Sequence, residues 1–250
     1  MCTVVLSFEP EDRVPLLLLG ARDEVIGRPW RPPARHWTGS PLVGGIDEQA
    51  GGTWLAVHPD IPRVACLLNG RGTPAVPATR RSRGELPLRA ALDGPGTLKD
   101  LAAGPAALAP YDPFHLVCAE AGSVLLLSWD GSDASCADLA PGTHMLTNAG
   151  HAYPAPEVTE PKAVQFAARF AGPRPSGDPS ASIPDAWGQW LTLADGDGLP
   201  PDDPRAIVAR RTLPDGRPWG STSQSLVALA RDGLRYDFRV VNEGWRQVGC

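Results

Sequence analysis

Two short apolar runs near the start of the chain are separated by a charged segment. Residues 2–8 and 14–20 are rich in apolar and β-branched side chains, and the residues between them are mostly acidic. This pattern predicts a β-hairpin. Antiparallel pairing across the turn brings the two ends of a hairpin together. We therefore expect Arg22 and Asp23 to lie close to Cys2.

The rest of the chain combines strand and helix patterns. Short apolar runs bounded by turn residues predict strands at 42–46, 53–57, 63–68, 114–119, 123–129, 144–148, 225–229, 234–241 and 245–248. Apolar residues at helical spacing predict helices at 84–92, 97–108, 159–170, 187–193 and 204–211. Thr159 is the expected N-cap of the third helix. Consecutive strands with short turns indicate an antiparallel meander.

Composition favours one folded domain that spans residues 1–250. Apolar residues make up 42% and charged residues 20% of the 250 positions, which is enough to form a core. Residues 172–186 are dominated by proline, glycine, serine and aspartate. We expect this segment to be a mobile surface insertion in which nothing packs.

Charge and hydropathy exclude several classes of protein. The formal net charge of −5 gives no positive field for a nucleic-acid backbone. The longest apolar stretch, 14–21, contains a proline and a glycine and is shorter than the roughly 18–20 residues that cross a bilayer. No basic residue precedes Arg13, so a secretory signal is not expected. These features predict a cytoplasmic protein without nucleic-acid partners or a membrane span.

The cysteine and histidine patterns do not indicate a metal site. The five cysteines are irregularly spaced and include no CxxC pair, which is unlike a disulfide framework or a zinc finger. The five histidines also lack metal-ligand spacing. We expect reduced thiols, no metal and no cofactor.

Cys2 is a candidate N-terminal nucleophile. Removal of Met1 would leave a cysteine whose own α-amine, with a pKa of about 8, can act as the base. Arg22 nearby would favour the thiolate, and Asp23 could orient the ammonium group. Alternatively, Cys2 is a small apolar residue that begins a strand, and Arg22 and Asp23 form a solvated pair.

Two asparagines end apolar strands and are candidates for stabilising an oxyanion. Asn69 follows the strand at 63–68, and Asn148 ends the strand at 144–148. Their amide N–H groups could bind the negative charge that develops during acyl transfer. Asn69 and Gly70 also form the commonest turn dipeptide, so a simple turn explains Asn69 equally well.

Several motifs together resemble those of the NRDE-motif family, also called the transport and Golgi organisation protein 2 family. They extend over most of the chain: Met1-Cys2, Gly20-Ala21-Arg22-Asp23-Glu24, Arg28-Pro29, Gly51-Gly52-Thr53-Trp54-Leu55-Ala56-Val57, Asn69-Gly70-Arg71, Arg81-Ser82-Arg83-Gly84-Glu85-Leu86 and His144-Met145-Leu146-Thr147-Asn148. The resemblance implies an α+β fold of the N-terminal nucleophile hydrolase type, with two stacked antiparallel sheets between helical layers (αββα). It also implies that Cys2, Arg22, Asp23, Asn69 and Asn148 form the catalytic set.

The sequence departs from the family pattern at three places. Ala21 replaces the first asparagine of the signature, and Thr222 stands where the family has an arginine. The family's Trp-Pro-Lys segment is represented by Ala-Pro-Glu at 155–157. If the missing arginine polarises the substrate, activity or substrate choice would differ here.

Two functions remain open at this point. The first is a cysteine N-terminal nucleophile hydrolase that cleaves an amide (C–N) or related acyl bond of a small molecule. The second is a non-catalytic carrier, because the resemblance also implies haem trafficking and lipid or acyl-CoA handling. The sequence contains no Cys-Pro or CxxCH haem motif, so the carrier function depends on the resemblance alone.

Overall fold

Two antiparallel β-sheets face each other in the computed structural model, which describes residues 3–250. Cys2 lies outside the described residues. The strands are β1 (Thr3–Phe8), β2 (Leu16–Val25), β3 (Trp30–Ala34), β4 (Val43–Asp47), β5 (Leu55–His58), β6 (Arg63–Asn69), β7 (Phe114–Glu120), β8 (Ser123–Trp129), β9 (Ala134–Asp138), β10 (Gly142–Thr147), β11 (Gly150–Tyr153), β12 (Arg210–Thr212), β13 (Pro218–Leu229), β14 (Leu234–Val240) and β15 (Arg246–Gln247). The helices are α1 (Glu85–Asp93), α2 (Gly96–Ala103), α3 (Pro161–Phe170), α4 (Ile183–Trp187) and α5 (Gln189–Ala194), with a 3₁₀ turn at Pro105–Ala107.

Strand order differs between the two sheets. Within the described chain, one sheet has the order β11-β10-β1-β2-β13-β14-β15, with β12 paired to β13. The other runs β3-β4-β5-β6-β7-β8-β9, which is the meander that the turn spacing predicts. The predicted hairpin is present as β1 and β2, with Thr3 opposite Ala21.

Side-chain alternation in β1 and β2 builds two separate apolar layers, as expected for a strand that is covered on both faces. Leu6 and Leu18 point into the core between the two sheets. Val5 and Leu19 point the opposite way and pack with Phe166 and other residues of the later helices. The first sheet is thus sandwiched between the second sheet and the layer formed by α3, α4 and α5.

Helices α1 and α2 cover the outer face of the second sheet. Leu86 and Ala90 of α1 pack in one cluster with Leu98 of α2 and with Leu116 and Leu127 of the sheet. The order of layers is therefore helix, sheet, sheet, helix, and the predicted α+β, αββα arrangement is confirmed. No helix within residues 3–250 has the length and apolar character needed to cross a membrane.

The predictions for the start of α3 and for residues 204–211 differ from the structure. Glu160, and not Thr159, is the N-cap of α3, because its Oε2 accepts a hydrogen bond from the Ala163 N–H at 2.9 Å. Residues 204–211 do not form the predicted helix; their end enters β12, which pairs with β13. Tertiary pairing has overridden the local helical spacing there.

The prediction that nothing packs within residues 172–186 is wrong. Arg174 donates hydrogen bonds to Ser7 Oγ at 2.9 Å and to the Val14 carbonyl oxygen at 2.6 Å. The segment also includes the start of α4, where Ala186 is fully buried. An arginine can cover apolar surface with its stem while its guanidinium binds main-chain oxygens, which composition alone does not indicate.

Candidate active site

A cavity of about 590 Å³ opens where β2, β4 and β6 end. Its wall includes residues 22–24 of β2, Asp47 of β4 and Asn69 of β6. The loop before α1 adds residues 80–84. The volume lies within the range of about 300–1,000 Å³ that is typical of small-molecule sites.

Charged side chains dominate the wall of this cavity. Asp23 borders the cavity, but its carboxylate is directed to the other face of β2. The wall is lined by five arginines and three carboxylates: Arg22, Arg28, Arg80, Arg81, Arg83, Glu24, Asp47 and Asp112. Trp54 and Leu67 are among the few large apolar residues. Most small-molecule pockets are lined mainly by apolar groups, so this cavity is unusually polar.

Arg22 is held at the cavity from several directions. Its side chain is 4% exposed, and Nη2 lies 3.4 Å from Asp47 Oδ2 and 3.8 Å from Glu24 Oε2. The guanidinium carbon lies 4.5 Å from the ring centroid of Trp54. The alternation of β2 directs Arg22 to the same side as Leu18, which places a cation at the end of the core between the sheets. Carboxylates and an aromatic face together stabilise that charge.

A β-bulge in β13 lies beside Arg22. Ser221 pairs with Asp23 and Ser223 pairs with Arg22, so Thr222 is the extra residue. Thr222 Oγ1 accepts a hydrogen bond from Arg22 Nη1 at 3.0 Å and donates one to the Arg22 carbonyl oxygen at 3.2 Å. A threonine hydroxyl thus contacts the guanidinium at the position where the family resemblance implies another arginine.

Asp47 connects the two arginines at this side of the cavity. Its carboxylate binds Arg28 with two hydrogen bonds, of 2.5 Å from Nε and 3.0 Å from Nη2. Burial acts to raise the pKa of Asp47, but the hydrogen bond and charge of Arg28 outweigh it and hold the pKa below its usual range. Asp47 therefore remains ionised and holds both Arg22 and Arg28 in place.

Asp23 lies on the opposite face of β2 in a fully buried polar cluster. Its Oδ1 accepts a hydrogen bond of 2.5 Å from Ser221 Oγ, and its Oδ2 lies 3.6 Å from Lys162 Nζ. Lys162 also donates to Thr3 Oγ1 at 3.2 Å. The start of β1 is thereby linked through a buried cation to the carboxylate of Asp23.

Sequence reasoning missed Lys162, although two signals could have found it. It is one of only two lysines in the chain, and it precedes Phe166 and Phe170 by four and eight residues on the apolar face of α3. A charged residue on an apolar helical face is buried only with a partner.

The two candidate oxyanion residues occupy different positions. Asn69 is the last residue of β6 and lines the cavity. Asn148 follows β10 and is not among the described residues that line the cavity. The imidazole of His115 hydrogen-bonds the main chain of Asn148 and also Ser128 Oγ, at 2.9 Å. His115 therefore connects the meander sheet to the turn that contains Asn148, and no pattern in the sequence indicates this contact.

Close approach of two glycines fixes the loop before α1. A Cβ atom on Gly52 would lie 2.5 Å from the carbonyl carbon of Gly84, which is impossible without displacement. The Thr53 N–H also donates to the Gly84 carbonyl oxygen at 2.9 Å. These contacts explain why glycine is needed at position 52 and place residues 80–84 on the cavity wall.

Two of the cysteines that the structure describes are poor nucleophiles. Burial raises the pKa of Cys66 and of Cys118 to about 12, whereas Cys250 is exposed. Burial also raises the pKa of Cys136. Residues 3–250 contain no group of three or more histidine, cysteine or acidic side chains that could hold a metal ion.

Comparisons with known proteins give a family and similarities to solved structures. The family model described as Transport and Golgi organisation 2 matches residues 1–171, which is more than half of the chain. No curated protein matches the sequence. A solved structure, the Caenorhabditis elegans N-acylethanolamine-hydrolyzing acid amidase ortholog, is similar over 93% of this chain and 98% of that chain, with 12% identity and a TM-score of 0.46. A likeness of this degree carries no argument about activity or substrate.

Proposed function

The chain belongs to the Transport and Golgi organisation 2 family, and we propose that it acts as a cysteine N-terminal nucleophile hydrolase on an amide or related acyl bond of a small molecule. The main support is that Arg22 and Asn69 line one cavity near the start of β1, while the carboxylate of the neighbouring Asp23 is linked through Lys162 to Thr3 at that start.

The pairing of β1 supports Cys2 as the nucleophile. Thr3 lies between Ala21 on one side and Thr147 on the other. The residues that follow these two partners along their strands are Arg22 and Asn148. One peptide unit spans about 3.8 Å. Cys2 is therefore attached directly to a residue whose two cross-strand partners each immediately precede a member of the proposed catalytic set.

In the proposed reaction, the α-amine of Cys2, free after removal of Met1, accepts the thiol proton. The thiolate attacks the carbonyl carbon of the substrate and forms a C–S bond. The amine then returns the proton to the leaving nitrogen as the C–N bond breaks. Water attacks the resulting thioester, releases the acid and restores the thiol, so no external reductant or oxidant is needed.

The surrounding side chains have distinct proposed roles. Arg22 supplies positive charge that favours the thiolate. Asp23, which is held by Lys162, orients the α-ammonium group. Asn69 and Asn148 donate hydrogen bonds to the oxyanion that develops as the carbonyl carbon becomes tetrahedral. The high pKa values of the described thiols leave Cys2 as the best candidate for the reactive cysteine.

The cavity fits a carrier of haem or lipid less well. A haem ring or an acyl chain is bound mainly through apolar surface, whereas arginines and carboxylates line most of this wall. The hydrolase therefore has the stronger support.

Two measurements test the hydrolase. Mass spectrometry after brief alkylation with limiting iodoacetamide at neutral pH should show that Met1 is absent and that Cys2 reacts much faster than Cys136 and Cys250. A panel of small amides should then yield a substrate whose cleavage is lost in Cys2→Ala and kept in Cys136→Ala. The second variant removes a thiol that lies outside the cavity wall.

Either of two results would overturn the proposal. Retention of Met1 removes the α-amine on which the mechanism depends. Alkylation of Cys2 at the same rate as exposed Cys250 would show that the thiol is not activated. Titration with haem and with acyl-CoA would then test the carrier function directly.

A further inference from the structure

Arg83 has a different environment from the other arginines of the cavity wall. It is half-buried, and its Nη1 donates a hydrogen bond of 2.6 Å to the Pro113 carbonyl oxygen. Burial lowers the pKa of Arg83, because the charged form has lost part of its hydration. Among the described residues it forms no ion pair, and no hydrogen bond from Nε or Nη2 is made.

The other arginines of the wall each have a carboxylate partner. The pairs are Arg22 with Asp47 at 3.4 Å, Arg28 with Asp47 at 2.5 Å, Arg80 with Asp112 at 3.2 Å and Arg81 with Glu85 at 2.7 Å. Asp112 and Glu24 are the carboxylates whose charges act on Arg83, and each of them already binds another group. Arg83 is thus the cation of the described wall whose hydrogen-bonding edge remains available.

The position of Arg83 relates it to the proposed reaction centre. The Pro113 carbonyl oxygen accepts hydrogen bonds from both Arg83 Nη1 and the Gly70 N–H, the latter at 2.9 Å. Gly70 directly follows Asn69, which is proposed to bind the oxyanion. A group bound by Arg83 therefore lies beside the place where the scissile carbonyl would sit.

We infer that the substrate carries a carboxylate group within a few atoms of its scissile C–N bond and that Arg83 binds this group. The inference rests on the proposed function for the reaction itself. The Nε and Nη2 donors of a guanidinium match the two oxygens of a carboxylate, so a bidentate contact is available. A monoanion suits this wall better than a dianionic phosphate, because three carboxylates also line it.

Binding without turnover tests this inference separately from catalysis. The full-length Cys2→Ala protein is titrated calorimetrically with N-hexanoylglycine and with N-hexanoylethanolamine, which has a hydroxyl in place of the carboxylate. We expect N-hexanoylglycine to bind at least about tenfold more tightly. Arg83→Gln should abolish this preference by weakening only the glycine conjugate, and Arg83→Lys should restore part of it.

Arg89→Gln is the matched control. Arg89 is an exposed arginine on α1 that pairs with Asp93 and does not line the cavity, so the preference should be unchanged. Thermal melting of each variant checks that the fold is intact.

Three results would overturn carboxylate recognition: equal affinity for the two ligands, equal weakening of both by Arg83→Gln, and no measurable binding of N-hexanoylglycine at millimolar concentration. If Cys2→Ala prefers N-hexanoylglycine but the wild-type protein cleaves no amide, the hydrolase proposal would be overturned and carboxylate recognition would stand. The two failures are therefore distinguishable.

Discussion

The buried ion pair between Lys162 and Asp23 allows a quantitative prediction for stability. Lys162→Met keeps the apolar stem and removes the charge. Lys162 Nζ lies 3.6 Å from Asp23 Oδ2, and the two side chains are 9% and 0% exposed. Loss of one partner of a buried pair costs about 3–5 kcal/mol. Because Asp23 keeps the hydrogen bond from Ser221, we expect a loss of about 3 kcal/mol in the free energy of unfolding.

The other lysine of the chain provides a matched control. Lys99 Nζ lies 3.4 Å from Asp138 Oδ2, but these side chains are 58% and 69% exposed. Exposed ion pairs contribute between about 0 and 1 kcal/mol, so Lys99→Met should change stability by less than about 1 kcal/mol. The two pairs have similar distances, and the comparison therefore isolates burial.

Urea unfolding at pH 7, followed by tryptophan fluorescence, measures both variants. The eight tryptophans include Trp187 and Trp190, which are fully buried and report on the packing beneath α3. A loss of about 3 kcal/mol corresponds to a decrease in Tm of roughly 6–12 °C for a chain of this size. Equal losses in the two lysine variants would refute the reasoning, as would strict additivity with Asp23→Asn in a double-mutant cycle.

Three further predictions concern Asp47, Gly52 and the pair formed by His144 and His151. Asp47→Asn should lower the free energy of unfolding by about 1–2 kcal/mol at pH 7 in a urea titration. The pKa of Asp47 is lowered in the folded protein, so the stability that Asp47 contributes is complete above its unfolded pKa of about 3.9 and is lost as pH falls through its folded pKa. The free energies of unfolding of Asp47→Asn and of the wild type should therefore approach each other below about pH 4. Gly52→Ala should destabilise the protein by about 1–3 kcal/mol in the same assay, because the new Cβ would meet the main chain of Gly84; no change would show that the loop yields freely. His144 Nδ1 lies 3.0 Å from His151 Nε2, and burial lowers the pKa of each imidazole, so the unfolded chain binds protons at a higher pH than the folded protein does. Stability measured by urea unfolding should fall as pH decreases from about 7 to 5, and His151→Gln should show a shallower fall.

The local pattern of apolar and polar residues predicts much of the fold. The β1–β2 hairpin, the antiparallel meander and helix α3 each have a periodicity that is maintained over their length, and these elements form where the sequence predicts them. Strand β3 was missed because Trp30–Ala34 contains two prolines and has no apolar run. Its pairing with β4 is a tertiary effect that the local pattern does not encode.

The candidate site was only partly accessible from sequence. The hairpin register correctly brings Arg22 and Asp23 to the start of β1, because register follows from the turn. Lys162 and Thr222 reach the same place from distant segments, through a buried helical position and a bulge. Arg83 lies close in sequence to Arg80 and Arg81, and nothing in the sequence distinguishes it from them. The hydrogen-bonding edge of Arg83 is available because the neighbouring carboxylates already bind other groups. The spacing of residues along the chain does not show which carboxylates are already bound.

The position of β13 has a consequence for how this protein can be divided. The family model ends at residue 171, but β13 lies between β2 and β14 and supplies Ser221 to Asp23. A fragment that ended at residue 171 would leave β2 as an edge strand, with the unpaired main chain of Leu16–Val25 open to other copies. Such a fragment should aggregate. The family model therefore matches only part of the folded domain, because the sheet that contains β2 also needs the strands after residue 171.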